Sequence, residues 1–306
     1  MIFKLIAILI TAVLILILIT YFIEINHARK RVLSGSKIFY SKHGSIEYCD
    51  EGNGLPALLI HGAGGGFDQG LFLGRMTLGK GYRFISVSRF GYLRSPFPEN
   101  TSAEDQAVIY KALLDYLEVE KVILVACSAG GPSALQFAFD YPECSSALVL
   151  VSAVTKYMGD DIPISTKIIN CLQKYDFTYW VASKFFRLTF LDMIGVSRSA
   201  YKSFNVGEKA VIKEMLDIMH PMSKRLSGGL HEAKIYPISA EQMKEIVVPT
   251  LILHAKDDKL VNFEHALNAH DNINKSIIIA YDTSGHSLIS KNDITEHIKR
   301  FLAENV

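Results

Sequence analysis

Apolar residues in this chain gather in short continuous runs, separated by stretches where they recur at helical spacing, and one far longer run occupies the amino terminus. Residues 58–60, 121–125, 147–151, 250–254 and 277–280 are compact and rich in Val, Ile and Leu, the pattern of strands buried on both faces. Residues 107–118 read as an amphipathic helix leading into the 121–125 strand, and residues 130–141 as a helix leaving it, closed by Tyr141-Pro142-Glu143. This alternation breaks between the strands at 147–151 and 250–254. The insertion there, from about residue 153 to about residue 246, carries Trp180, Phe185, Phe186, Phe190 and Leu191 at helical spacing. It predicts a helical lid, with the competing reading that these side chains only pack the insertion onto the rest of the domain.

The terminal run, residues 5–23, is interrupted only by Thr11, Thr20 and Tyr21 and is long enough to span a bilayer. Its aliphatic and phenylalanine residues contribute roughly −0.3 to −0.6 kcal/mol each to insertion, with Lys4 and Glu24 placed to snorkel at the ends. It exceeds the usual core of a cleaved signal peptide, and no small-x-small cleavage pattern follows it. The division predicted is a transmembrane anchor over 1–25, a linker over 26–36 and a catalytic domain over 37–306. Arg29, Lys30 and Arg31 after the span, against Lys4 and the terminal amine before it, favour by a small charge difference a single-pass protein with its main domain in the cytoplasm, with a periplasmic or extracellular placement the alternative.

Composition narrows the function classes. With 306 residues, a net charge of +1 and 49% hydrophobic residues, the chain can bury a large core but has no electrostatic footprint for nucleic acid. Cys49, Cys127, Cys144 and Cys171 lack paired spacing, so neither a zinc site nor a disulfide framework is expected. In the first half of the insertion Lys167, Lys174, Lys184, Arg187, Arg198 and Lys202 outnumber Asp176 and Asp192. That bias fits a solvated helix surface or a face resting on anionic lipid.

Candidate chemistry sits where the strands end. Ser128, in Ala126-Cys127-Ser128-Ala129-Gly130, stands at a strand-to-helix corner where a serine is exposed if the residues two before and two after it are small. Ala126 and Gly130 meet that need, although glycine is usual at the first position. Cys127 is the competing nucleophile, but it would put Ala129 where the glycine belongs. Upstream, His61-Gly62-Ala63-Gly64-Gly65-Gly66 closes an apolar run with a turn whose backbone N–H groups can face a developing oxyanion; Ala63 and Ala129 are the expected donors. The lysine and hydroxyl of a nucleotide-phosphate loop are missing. Downstream, Asp257-Asp258 follows the 250–254 strand and Ser284-Gly285-His286 follows the 277–280 strand. His286 would take the serine proton and Asp258 would orient the imidazole, with Asp257 the alternative because one residue of slip reverses a side chain.

With these motifs the chain resembles the α/β-hydrolase superfamily, in its branch of lidded serine esterases, from about residue 37 to residue 301. Ser88-Arg89-Phe90-Gly91-Tyr92-Leu93-Arg94-Ser95 resembles that family's loop after the fourth strand, with Leu93 where a second glycine is common. The resemblance implies a mostly parallel sheet flanked by helices, with reactive groups at the carboxyl ends of strands. The expected function is a membrane-anchored serine hydrolase acting through an acyl-enzyme on carboxylic esters or thioesters of moderately apolar, lipid-like or small molecules. It would need no metal or organic cofactor. Peptide-bond or carbon–carbon hydrolysis by the same triad, and a non-catalytic ligand-binding protein that kept the fold, are the alternatives. Aspartate at the elbow, as in haloalkane dehalogenases and epoxide hydrolases, is absent.

Overall fold

In the computed structural model, residues 1–98, 101–159, 164–232 and 235–306 are described. One eight-stranded sheet organises them: β1 (Lys37–Ser41), β2 (Gly44–Glu51), β3 (Leu55–Ile60), β4 (Tyr82–Ser88), β5 (Val122–Cys127), β6 (Ser145–Val151), β7 (Thr250–Ala255) and β8 (Ser276–Tyr281), in the order β1-β2-β4-β3-β5-β6-β7-β8. The β1–β2 and β2–β4 pairings are antiparallel and the rest parallel. The central strands are mostly apolar and buried because helices cover both faces, so neither side chain direction reaches water. On one face α3 (Ala103–Tyr116) and α4 (Gly131–Asp140) pack over Leu58, Leu124 and Leu148; on the other, α2 (Phe67–Thr77) and the carboxyl-terminal helix cover Leu59, Val125 and Val149. Local signals set the helix starts: Ser102 and Asp105 form a reciprocal capping box on α3, and Pro132 occupies the first turn of α4.

Between β6 and β7 the chain builds α5 (Ile164–Leu172), α6 (Asp176–Phe185), α7 (Arg187–Met193), α8 (Arg198–Ser203), α9 (Val206–Ile218), α10 (Leu226–His231) and α11 (Ala240–Lys244). Helices α6 to α9 share their own apolar core around Tyr179, Phe190, Leu191, Ile212 and Leu216. Ile238, Met243 and Ile246 instead join the core under the sheet, so the separate unit ends before the boundary near 246 suggested by the sequence. The aromatic stripe also divides: Trp180, Phe190 and Leu191 are buried, whereas Phe185 and Phe186 are 57% and 62% exposed. A buried bidentate pair, Arg225 to Asp68 at 2.9 and 2.7 Å, clamps this unit to α2.

The amino terminus departs most from expectation. Helix α1 runs unbroken over Ile2–Ser34, so the residues set aside as a linker continue the helix, and Gly35 rather than 26–36 forms the break. Its first two-thirds projects exposed apolar side chains, while Tyr21, Ile25, Ala28 and Val32 are buried. Glu24 accepts from Trp180 Nε1 at 2.8 Å and pairs with Lys184 at 2.9 Å; Arg29 pairs with Asp176 at 3.2 Å. Arg31 joins the Asp68–Arg225 pair and donates to the carbonyls of Ile218 and His220 at 2.7 and 2.6 Å. The charges read as loop-like flanks have acidic partners far along the chain. By length and composition, α1 is the one helix among the described residues able to cross a membrane.

Candidate active site

Strand β5 ends at Cys127 in extended conformation, and Ser128 turns the chain with φ of 50°, in the left-handed region a non-glycine residue enters at a cost of about 1–2 kcal/mol. Packing holds it there. A Cβ on Gly130 would lie 2.7 and 2.8 Å from the carbonyl oxygens of Ile60 and His61, and one on Gly62 would lie 2.9 Å from Ser128 Cβ. Ala126, where glycine is common, is fully buried between Ile60 of β3 and Leu150 of β6, and its methyl fills the core there.

Ser128 Oγ lies 2.9 Å from His286 Nε2, and His286 Nδ1 lies 2.8 Å from Asp258 Oδ2. A carboxylate only accepts, so Nδ1 carries the proton toward Asp258 and Nε2 keeps its lone pair toward the serine hydroxyl. Asp258 Oδ1 accepts from the N–H groups of Leu260 and Val261 at 2.9 and 3.0 Å. Burial alone would raise its pKa, but attraction to His286 and hydrogen bonds from His254, His286 and the Val261 N–H outweigh it and hold the carboxyl well below its usual range. Asp257 faces the other way. Its Oδ1 accepts from the N–H groups of Ser284 and Gly285 at 2.9 and 2.8 Å, pinning the loop that carries His286. Cys127 lies at the strand end, not at the corner, and burial raises its thiol to about 11, which keeps it protonated at neutral pH.

Ala129 is the second residue of the 3₁₀ turn Ser128–Gly130, where N–H groups have no intrahelical acceptor, and Ala63 sits in the turn closed by Gly65 N–H on Gly62 O at 3.2 Å, with Gly64 at φ of 70°. Supports the sequence reading did not identify fix that turn. His61 donates from Nδ1 to Gly62 O at 2.6 Å and accepts at Nε2 from Arg89 N–H at 2.9 Å, and Gln69 Oε1 accepts from Gly62 N–H at 3.0 Å. Burial, reinforced by the nearby Arg89 guanidinium, keeps His61 neutral, as this pattern requires. A polar ring closing an apolar strand was its only sequence signal. His254, at the end of β7, holds Val261 O at 2.8 Å through Nε2, which also lies 3.4 Å from Asp258 Oδ2.

The inserted helices reach this site. Gly195 O accepts from His286 N–H at 2.9 Å, Met215 Sδ lies 3.9 Å from Ser287 Oγ, and Met219 packs against Gly64. Buried Arg89 pairs through both terminal nitrogens with Glu232, which also accepts from Tyr92 O–H at 2.5 Å. Leu93 takes φ of 51° where a glycine is common, and its N–H reaches Lys224 O at 2.8 Å. Among the described residues no cluster of three or more His, Cys, Asp or Glu side chains is disposed to hold a metal ion.

Comparison with known proteins agrees with this architecture. The family described as alpha/beta hydrolase fold matches residues 56–293. The chain is 28% identical over 254 residues to the uncharacterized hydrolase YcgS of Bacillus subtilis, covering 79% of this chain and 88% of that protein. It is 29% identical over 252 residues to the 2-hydroxy-6-oxo-6-(2'-aminophenyl)hexa-2,4-dienoic acid hydrolase of Metapseudomonas resinovorans, covering 76% and 79%. Among solved structures, an alpha/beta hydrolase fold protein from Nakamurella multipartita superposes with a TM-score of 0.71 at 22% identity, over 88% of this chain and 98% of that one. A thermophilic esterase from Thermogutta terrifontis gives 0.66 at 20% identity, over 88% and 98%.

Proposed function

The chain belongs to the alpha/beta hydrolase fold family and is a hydrolase of that fold, and on that footing we propose that it is a membrane-anchored serine hydrolase cleaving carboxylic esters or thioesters of moderately apolar acyl groups. The hydrogen-bonded chain Ser128–His286–Asp258 carries this reading. His286 Nε2 removes the hydroxyl proton as Ser128 Oγ attacks the carbonyl, and the N–H groups of Ala63 and Ala129 receive the oxyanion. The proton passes from His286 to the leaving alcohol or thiol as the acyl-enzyme forms; a water, deprotonated by His286, then releases the acid and restores Ser128. Helices α5 to α10 act as the lid, and Met215 and Met219 give it an apolar lining that suits an acyl chain.

Anchoring through residues 1–23 of α1 is supported by the packing of the helix's second half, and placement of the domain on the cytoplasmic side by the basic residues 29–31 after the span. A cleaved signal would strip Ile25, Ala28 and Val32 from the folded domain and leave Asp176 without Arg29. A second reading, carbon–carbon hydrolysis by the same triad, draws on the relative from M. resinovorans. Labelling of the full chain in detergent by a fluorophosphonate tests the activated serine. Labelling is expected in the parent and lost in Ser128→Ala and His286→Ala; a folded parent that takes no label refutes the serine mechanism. Parallel turnover of aryl esters and of a vinylogous 1,5-diketone separates the two bond types.

A further inference from the structure

The apolar run of α1, residues 5–23, rises about 28 Å, close to the roughly 30 Å of a bilayer core. Where it gives way to charge, α6 is bolted to it. Tyr21 packs edge-on against Phe177 and Trp180 with centroids 5.0 and 5.6 Å apart, Trp180 meets Phe185 at 5.7 Å, and the Glu24 contacts with Trp180 and Lys184 lie one turn on. An aromatic cluster at that height occupies the level where tyrosine and tryptophan rings collect at a membrane surface. Beside it, Phe186 stands exposed and forms one wall of a cavity of about 240 Å³, with Leu172, Phe177, Val181 and Ala182. The remaining lining residue, Thr178, turns its hydroxyl onto the carbonyls of Leu172 and Tyr175 at 2.5 and 2.8 Å, leaving its methyl for the cavity. Ala182 also belongs to the apolar core that continues to Met219, the side chain over Gly64.

We propose that the Phe185–Phe186 edge of α6 and the cavity beside it are seated in the bilayer interface next to α1, where they take up lipid acyl chains. The inference rests on the anchoring proposed above for α1 and adds a second, independent contact. Two exposed phenylalanines and an apolar cavity gain little from water, whereas the rigid junction at Tyr21 and Glu24 holds them at the height where acyl chains begin.

The test uses the full chain in phosphatidylcholine vesicles with Cys171, the one exposed cysteine among the described residues, changed to serine. An environment-sensitive dye is placed at Phe186→Cys or, as control, at Val247→Cys, which lies just before β7 at the opposite end of the strands. Replacing part of the lipid by its acyl-brominated form is expected to quench the dye at 186 at least threefold more than the dye at 247. Equal quenching at the two positions, in a chain that alkaline carbonate does not extract, overturns the α6 contact and leaves the anchor standing. A chain that carbonate extracts overturns both.

Discussion

His286 donates its backbone N–H to Gly195 O at 2.9 Å, so the proposed general base is held from the inserted helices as well as from its own loop. Gly195 has φ of 87°, and a Cβ there would lie 2.8 Å from His286 Cβ and from Leu260 Cβ. The insertion therefore sets the imidazole position.

Gly195→Ala is expected to push His286 off line. A displacement near 1 Å costs on the order of 100-fold in kcat, with the fold intact by circular dichroism. Unchanged turnover would show that the histidine loop is fixed by Asp257 alone.

Asp258→Asn and Asp257→Asn separate two roles that adjacent carboxylates share out. The first reverses the imidazole tautomer and removes a buried carboxylate held ionised by His286 and His254, so it is expected to lower kcat by roughly 10⁴-fold and the melting temperature as well. Asp257→Asn keeps one acceptor for the Ser284 and Gly285 N–H groups and is expected to cost about 10-fold or less, with a lower melting temperature. Steady-state kinetics with thermal melts decide it.

Stability is expected to fall as pH drops from about 6.5 to about 4. Burial lowers His220 and His265 to about 4, and His61 is also held low. In this window unfolded imidazoles, with pKa near ~6.5, bind protons that the folded ones refuse, so protonation favours unfolding; above pH 7 the effect vanishes. His265 Nδ1 accepts from the N–H groups of Thr155 and Lys156 at 3.1 and 3.3 Å, a role Gln can keep without titrating. His265→Gln should flatten the slope of melting temperature against pH.

Removing residues 1–16 should leave the domain's stability unchanged, whereas starting at Gly35 should lower the melting temperature on the order of 10 °C through lost burial of Ile25 and Val32. Trp180, the sole tryptophan, packs on Tyr21 and should shift to longer emission wavelength only in the second truncation.

Legibility in the sequence followed the range of the interactions. Ser128, His286 and the two aspartates each sit in a short local pattern, a strand end followed by a turn, and the fold brings Ser128, His286 and Asp258 together. The choice between Asp257 and Asp258 depended on which side of one turn each side chain takes, and no periodicity encodes that. Gly195 and His254 act on groups whose partners are set by tertiary packing. The same holds for α1 beyond Ile25: Arg29 and Arg31 look like interface charges until Asp176 and Asp68, 147 and 37 residues away, come into place.

The absence of a joint between the apolar half of α1 and its docked half has a mechanical meaning. A tethered enzyme on a flexible leash samples every orientation and finds its substrate by volume. Under the anchoring proposed for α1, a domain welded to that helix can only spin about the membrane normal, so the height of Ser128 above the lipid would be set by helix geometry, and the search for substrate would become two-dimensional.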